Sequence, residues 1–172
     1  MQTPLRGSDV SLAGDTPQLL EGLVQAGISF IVVGGAAGVI LGAPIVTLDL
    51  DIVHQKAPEN IDRLLAWLLD HGAHHRFDLA NRRLPPTREQ LVGNGHLNLQ
   101  LDLGKLDVLC ELGPGEDYEN LIEDTVLVDN GLFSLRVLDL HRLIAVKARA
   151  GRPKDRAVLP MLLATLDEQK RR

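Results

Sequence analysis

The chain has 172 residues, of which 45% are hydrophobic, 24% are charged and only 3% are aromatic, and its formal net charge is −5. This length and composition predict one globular domain with a real hydrophobic core and exclude disorder as the main state. The acidic balance argues against a broad basic surface for nucleic acid, although it leaves room for a local basic cluster.

A single cysteine, Cys110, sets the expected environment of the protein. One cysteine cannot form an intramolecular disulfide or a cysteine-rich zinc site, so we expect a reducing, cytoplasmic setting. No stretch approaches the roughly 20 apolar residues of a membrane span, and residues 1–11 lack the apolar run of a signal peptide. We therefore predict a cytoplasmic protein with no membrane partner.

The sequence divides into a loose N-terminal tail, residues 1–15, and a single domain over residues 16–172. Hydrophobic periodicity, β-branched runs and turn residues mark the elements of this domain. Those of its first half are a helix from Thr16 that Gly27 ends, a buried strand over Ile28–Val33, a turn at Gly34-Gly35, a short helix over Ala36–Leu41, a strand over Val46–Val53 and an amphipathic helix over Pro58–His71.

The second half is predicted in the same way. Its elements are a hairpin of strands Leu97–Leu101 and Leu106–Leu109, a loop over Gly113–Asp117, a weak strand near Thr125–Val128, a helix from Asp139 to Ala150 that Gly151 closes, and a last helix from Pro153 toward Glu168. Pro160 either kinks this last helix or marks its true start. The order of elements predicts an α/β or α+β fold with a small mixed sheet flanked by helices.

The predicted strand Val46–Val53 alternates strictly between apolar and polar residues. Val46 and Leu48 are predicted to point to the core, whereas Thr47, Asp49 and Asp51 point the other way. The two aspartates then lie about 6 to 7 Å apart at the backbone. Like charges this close favour a bound cation, and Mg²⁺ prefers carboxylate and water oxygens. The alternative is a solvated strand edge without a ligand.

Asp107 is the best candidate for a third carboxylate at such a site. It is set among apolar residues on a presumed strand, where an unpaired charge has little other reason to lie. Paired metal ions can activate an attacking oxygen and stabilise the leaving oxygen during displacement at phosphorus. Gly34-Gly35 fits this chemistry, because glycines let the backbone approach a ligand closely and the next helix turn presents free N–H groups to phosphate. A plain tight turn is the alternative for the glycine pair.

In combination, a strand followed by Gly34-Gly35, a short helix, Thr47-x-Asp49-x-Asp51 and a later Asp107 resemble the signature of the nucleotidyltransferase superfamily, with its polymerase beta-like fold. The resemblance implies that the glycine pair contacts a nucleoside triphosphate (NTP) and that the three aspartates hold two Mg²⁺ ions. It also implies transfer of a nucleoside monophosphate from the NTP to a hydroxyl or amine acceptor, with Asp107 helping to deprotonate that acceptor.

The end of the chain resembles the small bacterial group of toxin-type nucleotidyltransferases, found in abortive-infection and toxin–antitoxin systems. The resemblance rests on a helix with Lys147 followed by Arg152-x-Lys154-Asp155, in the densest basic segment of the chain. It implies that Lys147 and Lys154 face the triphosphate and that Asp155 fixes a lysine or the turn. The alternative is a basic helix end that complements its own dipole.

The same resemblance bears on partners. It implies an antitoxin or a second copy of the chain as protein partner, and tRNA, a protein or a small molecule as acceptor. One departure from the subgroup is Ile45, two positions before Thr47, where a basic residue is often found; this bears on acceptor choice or activity. After the core only one or two helices remain, so no separate acceptor-binding domain fits.

A competing hypothesis is a non-catalytic nucleotide-binding or interaction module, such as a component of a toxin–antitoxin pair. Mg²⁺ dependence of nucleotide binding separates this hypothesis from the enzyme.

The other residues whose side chains could bind a metal or react are interpreted as structural. We expect His71, His74 and His75 to form an exposed helix end and Cys110 to be a core residue, and His54 is a weak candidate beyond Asp51.

Overall fold

The structure is a computed structural model that describes residues 2–4 and 12–172. Its elements are, in chain order, β1 (Gln2–Pro4), α1 (Thr16–Gln25), β2 (Phe30–Val33), α2 (Gly34–Ile40), β3 (Leu50–His54), α3 (Pro58–Asp70), β4 (His74–His75), α4 (Arg88–Val92), β5 (His96–Leu101), β6 (Gly104–Leu109), α5 (Tyr118–Leu121), a 3-10 turn (Ile122–Asp124), β7 (Thr125–Asp129), β8 (Ser134–Leu138), α6 (Leu140–Ala150) and α7 (Pro153–Lys170).

The strands form one mixed sheet of eight strands in the order β1-β7-β8-β2-β3-β6-β5-β4. The pairs β1/β7, β2/β8 and β3/β6 are parallel, and the other pairs are antiparallel. Helices flank this sheet, so the predicted α/β architecture with a mixed sheet is confirmed. The central strands β2, β3 and β6 carry the predicted site residues and lie side by side.

The hydrophobic core fixes the orientation of these central strands. Leu50 and Ile52 of β3 and Leu106 and Val108 of β6 are fully buried. Because side chains alternate along a strand, burying these residues turns the residues between them, including Asp51, to the opposite side of the sheet. The free energy gained by burying four aliphatic side chains, about 1.5 to 3 kcal/mol each, holds this register against slippage.

Two groups of helices complete the core. Helices α1 and α3 meet where Gly22 lies against Trp67, since a Cβ on that glycine would be 3.0 Å from the indole ring. Helices α2, α6 and α7 meet around Gly38, whose Cβ position is 3.1 Å from Leu162 and 3.6 Å from Leu143. This packing places α6 beside α2, the helix whose first turn contains Gly34 and Gly35.

The predicted strand over Val46–Val53 is wrong in its first half, because β3 begins only at Leu50. Val46 and Leu48 are not core residues; they are 83% and 77% exposed. The neighbouring strands explain the difference. β2 pairs with β3 only from Asp51 onward, since β2 ends at Val33 and the chain turns into α2, and β6 pairs from Leu50. Residues 46–49 therefore have no strand to pair with, whatever their alternation.

The other predicted element boundaries differ less from those in the structure. Helix α2 begins at Gly34, so the glycine pair forms its first turn and does not precede it. Helix α7 starts at Pro153 and contains Pro160 in its interior, which settles the alternatives for its start. The hairpin β5–β6 and the helix from Asp139 to Ala150 are confirmed, whereas the short elements β4 and α4 and the strand β8 were not predicted.

The N-terminal segment is described only in part. Within the tail predicted over residues 1–15, residues 2–4 form β1 and pair with β7, while residues 1 and 5–11 lie outside the described residues. Among the helices of the described residues, none is both long enough and apolar enough to cross a membrane.

Candidate active site

Two of the predicted carboxylates, Asp51 and Asp107, are neighbours across the sheet. Strands β3 and β6 run parallel, and Asp51 is the register partner of Asp107. Adjacent strands are about 4.8 Å apart, and both side chains lie on the same side of the sheet because their strand neighbours are buried on the other side. The register of two central strands therefore brings two carboxylates together in a place where water is partly excluded.

The electrostatics of Asp51 reflect this crowding. Its pKa is raised to about 7, chiefly because the carboxyl is buried, then because of a hydrogen bond and charge repulsion from Asp107 and the negative charge of Asp49. The positive charge of Lys147 acts in the opposite direction. A carboxylate with this environment is stabilised by a cation bound beside it, since the cation relieves the repulsion that raises the pKa.

Asp49 lies in the loop just before β3, so the predicted pair of aspartates on one strand is split between loop and strand. Thr47 shapes this loop by donating a hydrogen bond from Oγ1 to the backbone carbonyl of Asp49, at 3.1 Å. Within residues 2–4 and 12–172, no three His, Cys, Asp or Glu side chains lie close enough to hold a metal ion together. The three-aspartate metal site therefore stays a prediction.

The glycine pair packs directly on these residues. Gly34 has φ of +63°, and a Cβ there would lie 2.2 Å from Oδ2 of Asp51. A Cβ on Gly35 would lie 2.8 Å from Oγ1 of Thr47. Only glycine lets the backbone approach both side chains this closely, and Gly34 also adopts a left-handed conformation that other residues rarely take. The backbone of this turn is therefore in direct contact with the side chains of Asp51 and Thr47.

The basic segment singled out in the sequence spans the end of α6 and the start of α7. The Nζ of Lys147 is 3.3 Å from Oδ1 of Asp155, whose side chain is fully buried. Asp155 also accepts hydrogen bonds from Nε of Arg152 at 2.6 Å and from its backbone N–H at 3.3 Å. Burial opposes the charged form, but the hydrogen bonds from Arg152 and Lys147 hold the pKa of Asp155 below its ordinary value. Asp155 therefore fixes both a lysine and the turn.

Replacing Asp155 should destabilise the protein in a pH-dependent way. We expect Asp155→Asn to cost about 1.5 to 3 kcal/mol at pH 7, because it removes charge-assisted hydrogen bonds to Lys147 and Arg152. Since the folded pKa of Asp155 is lowered, this stabilisation is present above the ordinary pKa of 3.8 and is lost as the pH falls below it. Urea unfolding at pH 7 and pH 3 measures the difference, with the exposed Asp167→Asn on the same helix as control. An equal loss at both pH values contradicts the charged role.

Lys154 and Ile45 have different surroundings from Lys147. Lys154 is exposed as the second residue of α7, and within residues 12–172 it takes part in no ion pair. Its contact with a triphosphate stays a prediction. Ile45 packs on the core, where its Cδ1 is 3.0 Å from the Cβ position of Gly38. The apolar side chain at position 45 thus packs against α2.

One residue at the site, Arg76, was missed by the sequence analysis. It lies directly after β4, and its Nη2 is 2.7 Å from Oδ1 of Asp107. Its Nη1 donates to the backbone carbonyl of Leu99, also at 2.7 Å. A single arginine between short elements forms no recognisable pattern, so only the sheet pairing of β4 with β5 could reveal it.

The contacts of His54, Cys110 and His71 are those of structural residues. His54 is fully buried, its Nε2 is 2.7 Å from the carbonyl of Leu91, and burial lowers its pKa, which keeps the ring neutral. Cys110 is buried beside it, and burial raises the pKa of its thiol. His71, at the end of α3, places its Nδ1 2.8 Å from the carbonyl of Trp67.

The residues present fit a hard divalent cation. Asp51 and Asp107 offer oxygen ligands on adjacent strands, and their mutual repulsion is the condition that a cation relieves. Asp49 is near enough for its negative charge to act on Asp51. Chemically, this is a site that can hold a cation and place it beside a close-approaching backbone turn.

Comparison with known proteins identifies the fold. Neither a protein-family profile nor a curated protein sequence matches the chain. The structure is similar to the crystal structure of the lincosamide antibiotic adenylyltransferase LnuA bound to lincomycin, with a TM-score of 0.60 and 11% identity over 88% of this chain and 96% of that chain. An adenylyltransferase is a nucleotidyltransferase, so the predicted nucleotidyltransferase fold is confirmed. At this identity the likeness concerns the fold alone.

Proposed function

We propose that the chain is a Mg²⁺-dependent nucleotidyltransferase that moves a nucleoside monophosphate from an NTP to a hydroxyl or amine acceptor. The observation that carries the proposal is the contact of the Gly34 turn with Asp51, which in turn lies beside Asp107. Through this contact, a turn whose backbone N–H groups can bind phosphate lies against a pair of carboxylates that can bind a cation. The similarity of the fold to an adenylyltransferase supports the same reaction class.

Each residue has a role that its surroundings support. Asp51 and Asp107, with Asp49, would hold the divalent ion or ions, and Mg²⁺ so held would stabilise charge on the phosphates. Gly34 and Gly35 let the backbone of this turn lie against Asp51 and Thr47, and the N–H groups of the turn would contact the triphosphate. Thr47 orders the loop that carries Asp49.

Lys147 and Lys154 would supply positive charge to the triphosphate in this proposal. Lys147 is near enough for its charge to act on Asp51, and its ammonium group is held in place by Asp155. A cation fixed in advance stabilises developing charge without the cost of reorienting during the reaction. Lys154 is exposed and would reach the triphosphate from the start of α7.

We place the acceptor in a cavity of about 230 Å³ that borders Asp49. Leu19 and Leu48 provide its apolar lining, and Gln100 and Lys105 provide polar groups. The volume is below the roughly 300 to 1,000 Å³ of drug-sized ligand sites, so it fits part of a small molecule or one residue of a larger acceptor. LnuA, of similar length, is named for a small antibiotic as substrate, which supports a small acceptor without excluding tRNA or a protein.

A thermal melt with nucleotides tests the proposal. We expect one of the four ribonucleoside triphosphates to raise the Tm of the wild-type protein when Mg²⁺ is present. Ligand at about 100 times its dissociation constant adds roughly 2.7 kcal/mol, or about 5 to 10 °C for a domain of this size. Asp49→Asn should lose this shift, because it removes a carboxylate from the proposed metal site, and Asp167→Asn on the exposed face of α7 is the matched control.

Activity is then measured with the nucleotide that binds. The NTP carries a label on its α-phosphate, and transfer of the label to tRNA, protein or small hydroxylated and amino compounds is followed together with release of pyrophosphate. A Mg²⁺-independent shift that Asp49→Asn retains would instead favour the non-catalytic nucleotide-binding module. The absence of any shift would favour an interaction module, such as one partner of a toxin–antitoxin pair.

A further inference from the structure

Arg76 occupies a position at the proposed metal site that its backbone fixes. Its backbone N–H donates to the carbonyl of Asn98 at 2.9 Å, which continues the pairing of β4 with β5 by one residue. Asn98 is in turn the register partner of Asp107 on β6. The Arg76 side chain thus starts at the end of β4, on one side of β5, and reaches across β5 to the carboxylate of Asp107 on β6.

The guanidinium group is held at several points. It donates to Oδ1 of Asp107 and to the carbonyl of Leu99, both at 2.7 Å, and its central carbon lies 5.4 Å from the centroid of the Phe77 ring. The Arg76 and Asp107 side chains are only 13% and 15% exposed. A charge-assisted hydrogen bond shielded from water in this way is stronger than a surface ion pair.

This contact places a positive charge where the proposed reaction needs a metal ion. The oxygen of Asp107 that Arg76 binds is one of the two that the carboxylate can offer to a cation. Two positive charges on one carboxylate repel each other, so binding of an ion at Asp107 and the Arg76 contact oppose each other. Asp49 and Asp51 make no ion pair with an arginine or lysine within the described part of the chain.

We propose that Arg76 is a resident cation that competes with a divalent ion for Asp107 and so controls metal loading of the site. The inference rests on the proposed metal site, but not on the identity of the nucleotide or the acceptor. A divalent ion held mainly by Asp49 and Asp51 leaves the Arg76 contact intact. An ion that takes Asp107 as a ligand displaces the guanidinium from that carboxylate.

Binding of Mn²⁺ alone, in the absence of nucleotide, tests this competition. Isothermal titration calorimetry and the electron paramagnetic resonance signal of free Mn²⁺ give affinity and stoichiometry. We expect Arg76→Gln to bind Mn²⁺ about tenfold more tightly than wild type, or to bind an additional ion, because Asp107 loses its competing partner. Arg76→Lys keeps the charge but loses the planar fork, and should fall between the two.

Two controls show whether the effect passes through Asp107. Arg82→Gln removes the same charge from the same loop, where Arg82 pairs with Asp78 and is largely exposed, and should leave Mn²⁺ affinity unchanged. In an Asp107→Asn background, Arg76→Gln should no longer increase the affinity. An unchanged or weaker affinity of Arg76→Gln and Arg76→Lys overturns the proposal, as does the same gain in the Asp107→Asn background. These results do not depend on nucleotidyl transfer, which is measured separately.

Discussion

Asp51→Asn should reduce nucleotidyl transfer by at least about a hundredfold, since loss of a group that only supports a metal ligand already costs roughly 10- to 100-fold. Asparagine has nearly the same shape but cannot provide a negatively charged ligand. We expect the metal-dependent shift of the Tm by NTP to disappear with the activity. Initial rates with labelled NTP and melts with and without Mg²⁺ measure both effects, with Asp70→Asn at the exposed end of α3 as the matched control.

The same variant should be more stable than wild type when no metal is present. The pKa of Asp51 is raised from 3.8 to about 7 in the folded protein, so the folded state binds more protons than the unfolded state between these values. The wild-type stability therefore falls as the pH rises from about 4 to about 7 and then levels off. The asparagine side chain is not charged at any pH. The gain in stability of Asp51→Asn over wild type should therefore be largest above pH 7 and small at pH 4.

Differential scanning calorimetry of the metal-free proteins at pH 4, 6 and 8 measures this difference. Each 1 kcal/mol gained should raise the Tm by about 2 to 4 °C in a domain of this size. Mg²⁺ should reverse the ranking, because it stabilises only the protein that retains the carboxylate. If Asp51→Asn is less stable than wild type at pH 8 without metal, the carboxylate is a structural group and the proposed site is wrong.

Gly34→Ala should destabilise the protein by about 2 kcal/mol or more and abolish NTP binding. An alanine at φ of +63° costs about 1 to 2 kcal/mol, and its Cβ would lie 2.2 Å from Oδ2 of Asp51. Either the turn or the carboxylate must shift, and both belong to the proposed site. Urea unfolding gives the loss of stability, and the NTP-dependent shift of the Tm gives the loss of binding.

Two comparisons separate backbone strain from the clash. Gly115 has φ of +78° with nothing within 4 Å of its Cβ position, so Gly115→Ala should cost only the conformational part, about 1 to 2 kcal/mol, and retain NTP binding. In an Asp51→Ala background the nearest remaining atom to the Gly34 Cβ position is the Asp51 Cβ at 3.2 Å. There Gly34→Ala should cost only slightly more than Gly115→Ala does, because the remaining 3.2 Å contact requires a shift of a few tenths of an ångström. A large cost in that background would mean that Asp51 is not what requires the glycine.

The sequence by itself determined the elements with strong local signals. The β-branched run of β2, the glycines that follow it and the helix capped by Asp139 and closed by Gly151 are set by interactions between residues close in the chain, so their patterns were sufficient. The same holds for the β5–β6 hairpin. Two carboxylates of the proposed site were also predicted locally, Asp51 from the alternation of its strand and Asp107 from its apolar neighbours, among which a charge without a partner is costly.

Pairing between distant strands decided the rest. Residues 46–49 alternate like a strand but have no neighbouring strand to supply hydrogen bonds, so Asp49 lies in a loop and Val46 and Leu48 are exposed. Local alternation records which side chains suit a strand, but not whether a partner strand is within reach. The strand β8 was missed for the converse reason, since five residues with a modest pattern become a strand between β7 and β2.

Only the tertiary structure could identify the charges around the carboxylates. Arg76 is 31 residues from Asp107 in the chain, and the two meet because β5 lies between β4 and β6. The raised pKa of Asp51 likewise depends on burial and on the parallel register with Asp107. Electrostatic interactions act through space over a few ångströms, so a sequence can show which charged groups exist while the fold alone decides which of them meet.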